Sequence, residues 1–249
     1  MNATVASLTG RSLLGRKRTL VLLLLPLALL ALCTLARVLA SLDDEIAAAL
    51  EGPLSPNLLT AFGIAILMPL LSLIAGTGSI GPEIDEGSIV YLLAKPINRY
   101  SIVVTKLVVA VGVIVVFGVL PIGIGGVILT GEVGRVAMAF TAGAFCAGIA
   151  YAALYLLLAV VSRNAVVFGL VYALVWESLV GGLVPGAQTL SVQQWSLTVV
   201  KEVLGDSAGP LAVDSAVGFG TGAVFLALVT VLATAYAGRR LQVLRLTEA

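Results

Sequence analysis

The sequence contains no histidine and only two cysteines among 249 residues. Without histidine, the chain lacks the side chain that most often acts as a general base near neutral pH and most often binds transition metals. Cys33 and Cys146 each lie inside an apolar run, and their spacing fits neither a zinc site nor a disulfide framework. We interpret both as small apolar residues of membrane helices. These absences count against a metalloenzyme and a histidine-dependent hydrolase.

Charged residues are scarce as well. They make up 11% of the chain, whereas soluble domains carry about 25%. Hydrophobic residues account for 60% and the mean hydropathy is +1.14. One soluble core cannot bury so much apolar surface, so a bilayer is the expected solvent. The net charge of +1 gives no indication of a nucleic-acid partner.

The sequence also lacks the G-x-x-x-x-G-K-[ST] motif with which P-loop proteins bind ATP. Gly76, Gly78 and Gly81 match G-x-G-x-x-G, but they end an apolar run and the acidic residues that follow would repel phosphate. We therefore expect no cofactor on this chain and no covalent catalysis by it.

Six apolar runs have about the 20 residues that a transmembrane helix needs. The runs are continuous rather than alternating, which favours helices over barrel strands. The predicted fold is all-α, a polytopic bundle of six transmembrane helices forming a single domain over residues 1–249. The predicted spans are residues 20–42, 58–75, 102–129, 136–161, 165–183 and 213–237. The first is interpreted as uncleaved, because it is too long for a signal peptide.

The Lys and Arg residues indicate the orientation, since cytoplasmic loops are enriched in them. With both termini in the cytoplasm, 11 of the 14 basic residues fall on the inner side. These are Arg11, Arg16, Lys17, Arg18, Lys95, Arg99, Lys106, Arg163, Arg239, Arg240 and Arg245. Arg37, Arg135 and Lys201 fall outside.

The loop between the second and third spans carries the most specific pattern. Residues 81–106 read GPEIDEGSIVYLLAKPINRYSIVVTK. Pro82 suits a first helical turn, which negative charge would stabilise through the helix dipole, and Pro96 would end the helix. The pattern predicts a short amphipathic helix at the cytoplasmic surface, within a loop over residues 81–100. Such a helix either lies on the lipid surface or forms a rigid binding surface for a cytosolic partner.

This loop resembles that of the ABC type-2 permease family, E-x-x-E-G-[ST]-x-x-x-L-L-x-x-P-x-[SN]-R-x-x-I-x-x-x-K. The matching residues are Glu83, Glu86, Gly87, Ser88, Leu92, Leu93, Pro96, Asn98, Arg99, Ile102 and Lys106. The six-span layout extends a weaker resemblance over most of the chain.

The resemblance implies that the loop holds a coupling helix seated on an ATPase subunit. The implied ATPase-coupling residues are Glu83, Asp85, Glu86, Gly87, Leu92, Leu93, Pro96 and Arg99. Arg99 and Lys106 would anchor the loop at the membrane. The alternative for the acidic residues is compensation of the helix dipole in a solvated first turn.

The resemblance further implies the permease subunit of an ATP-driven ABC exporter in a prokaryotic plasma membrane. The permease would pair with a second copy or a paralogue and bind two ATPase subunits, which would carry ATP and Mg²⁺. The resemblance also implies that transport proceeds by an alternating-access cycle. The rival interpretations are an ATP-independent secondary transporter and an accessory membrane subunit. A membrane-embedded enzyme is disfavoured, because the spans hold no cluster of polar residues.

Glu177 is the only acidic residue well inside a predicted span. A carboxylate at such depth must face protein or water, or be protonated. Glu177 and the neighbouring Trp176 are therefore candidates for a gate or for part of the export pathway. The alternative is a hydrogen-bonded helix contact with Trp176 at the membrane interface.

Two segments outside the spans remain. Residues 1–19 are predicted to form a cytosolic amphipathic segment, which would contact either a partner or anionic lipid. Residues 185–210 are predicted to be external, with an apolar face of Leu190, Trp195, Leu197, Val200 and Leu204. This external segment would either cap the outer mouth or lie at the interface, anchored by Trp195.

Overall fold

The computed structural model describes residues 7–10, 13, 16–85, 98–180 and 186–243, and within these the chain forms helices and turns without a strand. We number the main helices α1 to α7. They are α1 (Arg16–Ala40), α2 (residues 44–85), α3 (Arg99–Thr130), α4 (Arg135–Val161), α5 (residues 165–180), α6 (Val192–Leu204) and α7 (Phe219–Val243). The prediction of an all-α bundle is confirmed.

Five of these helices are long and apolar enough to cross a membrane, namely α1, α2, α3, α4 and α7. The fifth predicted span is shorter, with an apolar helix over Ala165–Glu177. The last predicted span differs in register: its helix starts at Phe219 instead of residue 213. The intervening residues form turns, in which the Asp214 carboxylate accepts a hydrogen bond from the Ser215 backbone N–H.

Helix α2 is longer than predicted at both ends. It begins with the segment Asp44–Ala49, bends at Gly52 and Pro53, and ends with Met68–Asp85. The bend has a simple cause, because Gly52 adopts φ −99° and ψ −133°, outside the helical region. Pro82 lies inside the final helical segment and does not start a new one. The expectation of a helix beginning at Pro82 is therefore wrong, and Glu83 belongs to α2.

Helix α4 is the centre of the bundle. Its apolar window is 61% buried, against 22% for α1 and 17% for α7, which lie at the periphery. Small residues explain this position, because alanine and glycine allow neighbouring helix backbones to approach closely. At Gly76 of α2, an added Cβ would lie 2.8 Å from the Tyr155 Cβ of α4. At Gly126 of α3, it would lie 2.8 Å from the Ala137 Cα.

The helices alternate in direction, so the bundle has two distinct ends. At one end lie the last residues of α2, α4 and α7 and the first of α3 and α5. We call it the basic end, because it carries Arg99, Arg163, Arg239 and Arg240. The opposite end, called the acidic end, carries Asp43, Asp44, Glu45, Glu51, Glu132, Asp206 and Asp214.

Helix α6 packs among the membrane helices instead of lying on their surface. An added Cβ at Gly143 of α4 would meet the Val200 side chain, and one at Gly222 of α7 would meet Thr198. Trp195 is 5% exposed and stacks on Phe225 of α7 with ring centroids 5.2 Å apart. Of the two alternatives for residues 185–210, this burial counts against an interfacial helix anchored by Trp195. Leu190 precedes α6 and is exposed, while the rest of the predicted apolar face is buried.

Candidate functional sites

A buried lysine lies where α2 ends and α3 begins. Lys106 is 0% exposed, and its Nζ donates hydrogen bonds to Glu83 Oε1 and to the Ser79 carbonyl, each at 2.7 Å. A third, longer contact of 3.5 Å reaches the Thr9 hydroxyl in the N-terminal segment. Since a buried ammonium is stable only when its donors are satisfied, these acceptors fix the end of α2 against α3.

The position of Lys106 corrects one expectation. The sequence analysis assigns Lys106 to anchoring the loop at the membrane. The structure instead directs the ammonium inward, onto Glu83 and the carbonyl of Ser79. The cause is the extension of α2 through Asp85, which brings an acidic side chain and a carbonyl beside the second turn of α3.

Arg99 holds a second junction at the basic end. The Asn98 side chain caps the start of α3 by accepting a hydrogen bond from the Tyr100 N–H at 3.0 Å. Arg99 then donates to the Leu241 carbonyl at 2.7 Å and to the Gln242 carbonyl at 3.2 Å. These carbonyls belong to the last described turn of α7. Arg99 thus joins α3 to α7.

The remaining predicted coupling residues divide between described and undescribed parts of the chain. Asp85 is the last described residue of α2, and only its backbone is described. Glu86, Gly87, Leu92, Leu93 and Pro96 lie outside the described residues. The geometry of the loop is therefore known at its two ends, which are held by Glu83 and Arg99.

Glu177 lies in a second polar cluster. It is 1% exposed, and its carboxylate accepts hydrogen bonds from the Ser191 hydroxyl and from the Val192 N–H at 3.1 Å. The Gln193 N–H approaches at 3.4 Å and the Tyr172 hydroxyl donates at 2.8 Å. Val192 and Gln193 begin α6, so the Glu177 carboxylate caps the N-terminus of that helix, where the dipole favours negative charge.

Two further tyrosines complete this cluster. Tyr151 and Tyr155 of α4 stack with their ring centroids 6.0 Å apart, and Tyr155 meets Tyr172 edge to face. The buried hydroxyls of Tyr151 and Tyr155 have no hydrogen-bond partner among the described residues. Trp176 turns the other way and donates to the Leu190 carbonyl at 3.4 Å.

The cluster lies deep in the bundle. Tyr151 follows Arg135 by about 16 residues, or roughly 24 Å along α4. Helix α5 therefore climbs from the basic end only to mid-depth at Glu177. From there α6 continues toward the acidic end, where Leu204 shares a cavity with Leu129 and Glu132. The two helices together traverse the bundle, and Glu177 joins them.

An apolar groove of about 690 Å³ opens between α1, α2, α4 and α5, in the half of the bundle nearer the basic end. Its lining includes Leu24, Leu70, Leu73, Thr77, Arg163 and Leu170. Glu177 and Trp176 do not line this groove. No group of three potential metal-ligating side chains occurs in the described part of the chain.

Sequence reasoning singled out Glu177 but missed its hydrogen-bond donors Tyr172, Ser191 and Val192. A usable signal existed, because Ser191 precedes an amphipathic segment at a typical N-cap position. A carboxylate buried in an apolar helix needs donors, and a nearby helix N-terminus is a rich source of them.

Comparison with known proteins adds a family match. The family model described as ABC-2 family transporter protein matches residues 15–237, most of the chain. No curated protein matches the sequence significantly.

Proposed function

The chain belongs to the ABC-2 transporter family and is a multi-pass membrane protein, and we propose that it is the permease subunit of an ATP-driven exporter. The ATPase would be a separate polypeptide that binds the 81–100 loop. The observation that carries this proposal is the firm attachment of both ends of that loop to the bundle. Near the start of the loop Glu83 binds Lys106, and near its end Arg99 binds carbonyls in the last described turn of α7.

We propose that a partner supplies ATP, because the given sequence has no P-loop. ATP and Mg²⁺ would bind the partner, and this chain would perform no covalent chemistry. We propose two ATPase copies and a second permease, identical or paralogous. The exposed apolar side chains of α5 that point away from the groove suit such a neighbour, among them Phe168, Val171 and Leu174.

The basic end would face the cytoplasm of a prokaryotic cell, with both termini there, because basic residues mark cytoplasmic loops. An ATPase docked on the 81–100 loop then meets the end of the bundle at which the apolar groove lies. We propose this groove as the inner part of the export pathway. Its mostly apolar lining suits a hydrophobic or amphiphilic cargo.

We propose that Glu177 and Trp176 form an outer gate instead of lining the pathway. Both hold the start of α6, Glu177 through its carboxylate and Trp176 through the Leu190 carbonyl. Release of these contacts would free α6 to move relative to α4 and α7. The gate would then open while α5 stays in place.

The same contacts count against an ion-coupled secondary transporter. Such a protein needs a carboxylate that gains and loses a proton or cation during transport. The Glu177 carboxylate is engaged by hydrogen-bond donors from Tyr172, Ser191 and Val192. A group committed to capping a helix is poorly placed to exchange protons.

A pull-down from mildly solubilised membranes tests the proposal. The test variant reverses two charges of the loop, Asp85→Lys with Glu86→Lys, and spares Glu83 because it holds Lys106. The matched control is Glu202→Lys with Asp206→Lys at the acidic end. We expect an ABC ATPase to accompany the wild type and the control but not the loop variant. Absence of any ATPase from the wild type would contradict the proposal and favour an accessory subunit or a secondary transporter.

A further inference from the structure

We propose that the ion pair between Lys106 and Glu83 transmits movement of the 86–97 loop into the membrane helices. Lys106 would thus be a positioning residue for energy coupling and not only an anchor of the fold. This inference rests on the proposed function, in which an ATPase moves the loop.

The geometry of Lys106 supports this role, because one ammonium group joins three separate segments. Its acceptors are the Glu83 carboxylate and the Ser79 carbonyl of α2 and the Thr9 hydroxyl of the N-terminal segment. An ammonium group has three N–H donors. Displacement of α2 from α3 would leave a fully buried charge without its acceptors, so the two helix ends must move together.

The same turns of α2 also border the groove. Thr77, Gly78, Gly81 and Pro82 line the groove, whereas Ser79 and Glu83 of the same turns hold Lys106. One face of this helix end therefore contacts α3 and the other contacts the space proposed for cargo. A movement of the loop that shifts Glu83 would change the shape of the groove.

Arg99 extends the connection. It follows the loop directly and binds the last carbonyls of α7, while the Tyr100 ring packs against Gly238. The start of α3 is thus fixed to α2 on one side and to α7 on the other. A force applied to the loop would therefore move the first two turns of α3 together with the attached parts of α2 and α7.

The experiment places a reporter cysteine in the groove, Val167→Cys, in a Cys33→Ala, Cys146→Ala background. The complex with its ATPase is reconstituted in nanodiscs, and the rate of maleimide labelling is compared without nucleotide and after trapping with ATP and vanadate. The test variants are Lys106→Gln, Glu83→Gln and the exchange of both charges, Lys106→Glu with Glu83→Lys. Lys201→Gln, which removes an exposed ion pair at the acidic end, is the matched control.

We expect trapping to change the labelling rate in the wild type and the control. We expect that change to be lost in both single variants although the ATPase remains bound, and to return in the charge exchange. A full nucleotide-dependent change in Lys106→Gln would overturn the proposal. So would loss of the complex in the single variants without recovery by the exchange, because the pair would then be purely structural. If no ATPase accompanies the wild type, the proposed function fails and this inference fails with it.

Discussion

The Glu177 carboxylate of α5 accepts a hydrogen bond from the Val192 N–H, the first residue of α6, at 3.1 Å. An acidic side chain buried at mid-depth in an apolar bundle is thereby used as the cap of another helix. This contact accounts for a charge that the membrane would otherwise disfavour. It also connects the two halves of the path that the chain takes from the basic to the acidic end.

Removal of the Glu177 cap is expected to destabilise the protein. Glu177→Leu leaves buried donors at Ser191 and Val192 without an acceptor, which costs about 1–3 kcal/mol for each unsatisfied group. Glu177→Gln keeps one acceptor oxygen and should cost less. Thermal unfolding in detergent measures both, with the exposed Glu202→Gln as control. Equal unfolding temperatures for Glu177→Leu and wild type would contradict the capping role.

The tyrosines around Glu177 offer a matched pair of substitutions. Tyr172→Phe removes the hydroxyl that donates to Glu177 at 2.8 Å, and we expect a loss of about 1 kcal/mol or more. Tyr155→Phe removes a buried hydroxyl that lacks an acceptor among the described residues, so we expect no loss of stability. The same unfolding measurement compares the two. A larger effect for Tyr155→Phe would show that the cluster is arranged differently.

Close packing of α2 on α4 predicts that Gly76→Ala is harmful. The new Cβ would lie 2.8 Å from the Tyr155 Cβ and 3.1 Å from the Ala152 carbonyl oxygen, and neither atom can move without its helix. We expect a cost of about 1–3 kcal/mol from overpacking. Gly112→Ala is the control, because its Cβ meets nothing within 4 Å and alanine favours a helix. Thermal unfolding or yield of folded protein in detergent distinguishes the two variants.

The exposed ion pair between Lys201 and Asp214 at the acidic end should contribute little to the stability of the protein. The hydrogen bond from Lys201 lowers the pKa of the Asp214 carboxyl. A lowered pKa in the folded state means that the stabilisation is present above the pKa of the unfolded chain and is lost as the pH falls through the folded value. Since both side chains are well exposed, Asp214→Asn should cost under about 0.5 kcal/mol at pH 7. Unfolding measured at pH 7 and then at a pH below the lowered pKa of Asp214 should show that this small difference vanishes in acid.

The sequence predicted the membrane class well because hydropathy reports directly on the solvent of each segment. Continuous apolar runs located α1, α3, α4 and α7 approximately, although the start of α7 was six residues too early. Gly126 of α3 lies against Ala137 of α4, a contact that hydropathy alone does not report.

The relation between α5 and α6 was not predictable in the same way. Hydropathy gives the length of an apolar run but not the depth at which the next helix begins. The amphipathic pattern of residues 192–204 is compatible with an interfacial helix and with one packed on Gly143 and Gly222. The inward direction of Lys106 depends likewise on the extension of α2 through Pro82, a residue that usually marks a helix start.

The central claim is that the 81–100 loop binds an ABC ATPase, and site-specific photo-crosslinking tests it most directly. A benzophenone amino acid would replace Tyr91 in the loop or, as a control, the exposed Val133 at the acidic end. After irradiation of native membranes, we predict an adduct with a P-loop ATPase from position 91 and none from position 133. If position 91 yields no ATPase adduct, or only lipid, the loop does not couple this permease to ATP hydrolysis and the account is wrong.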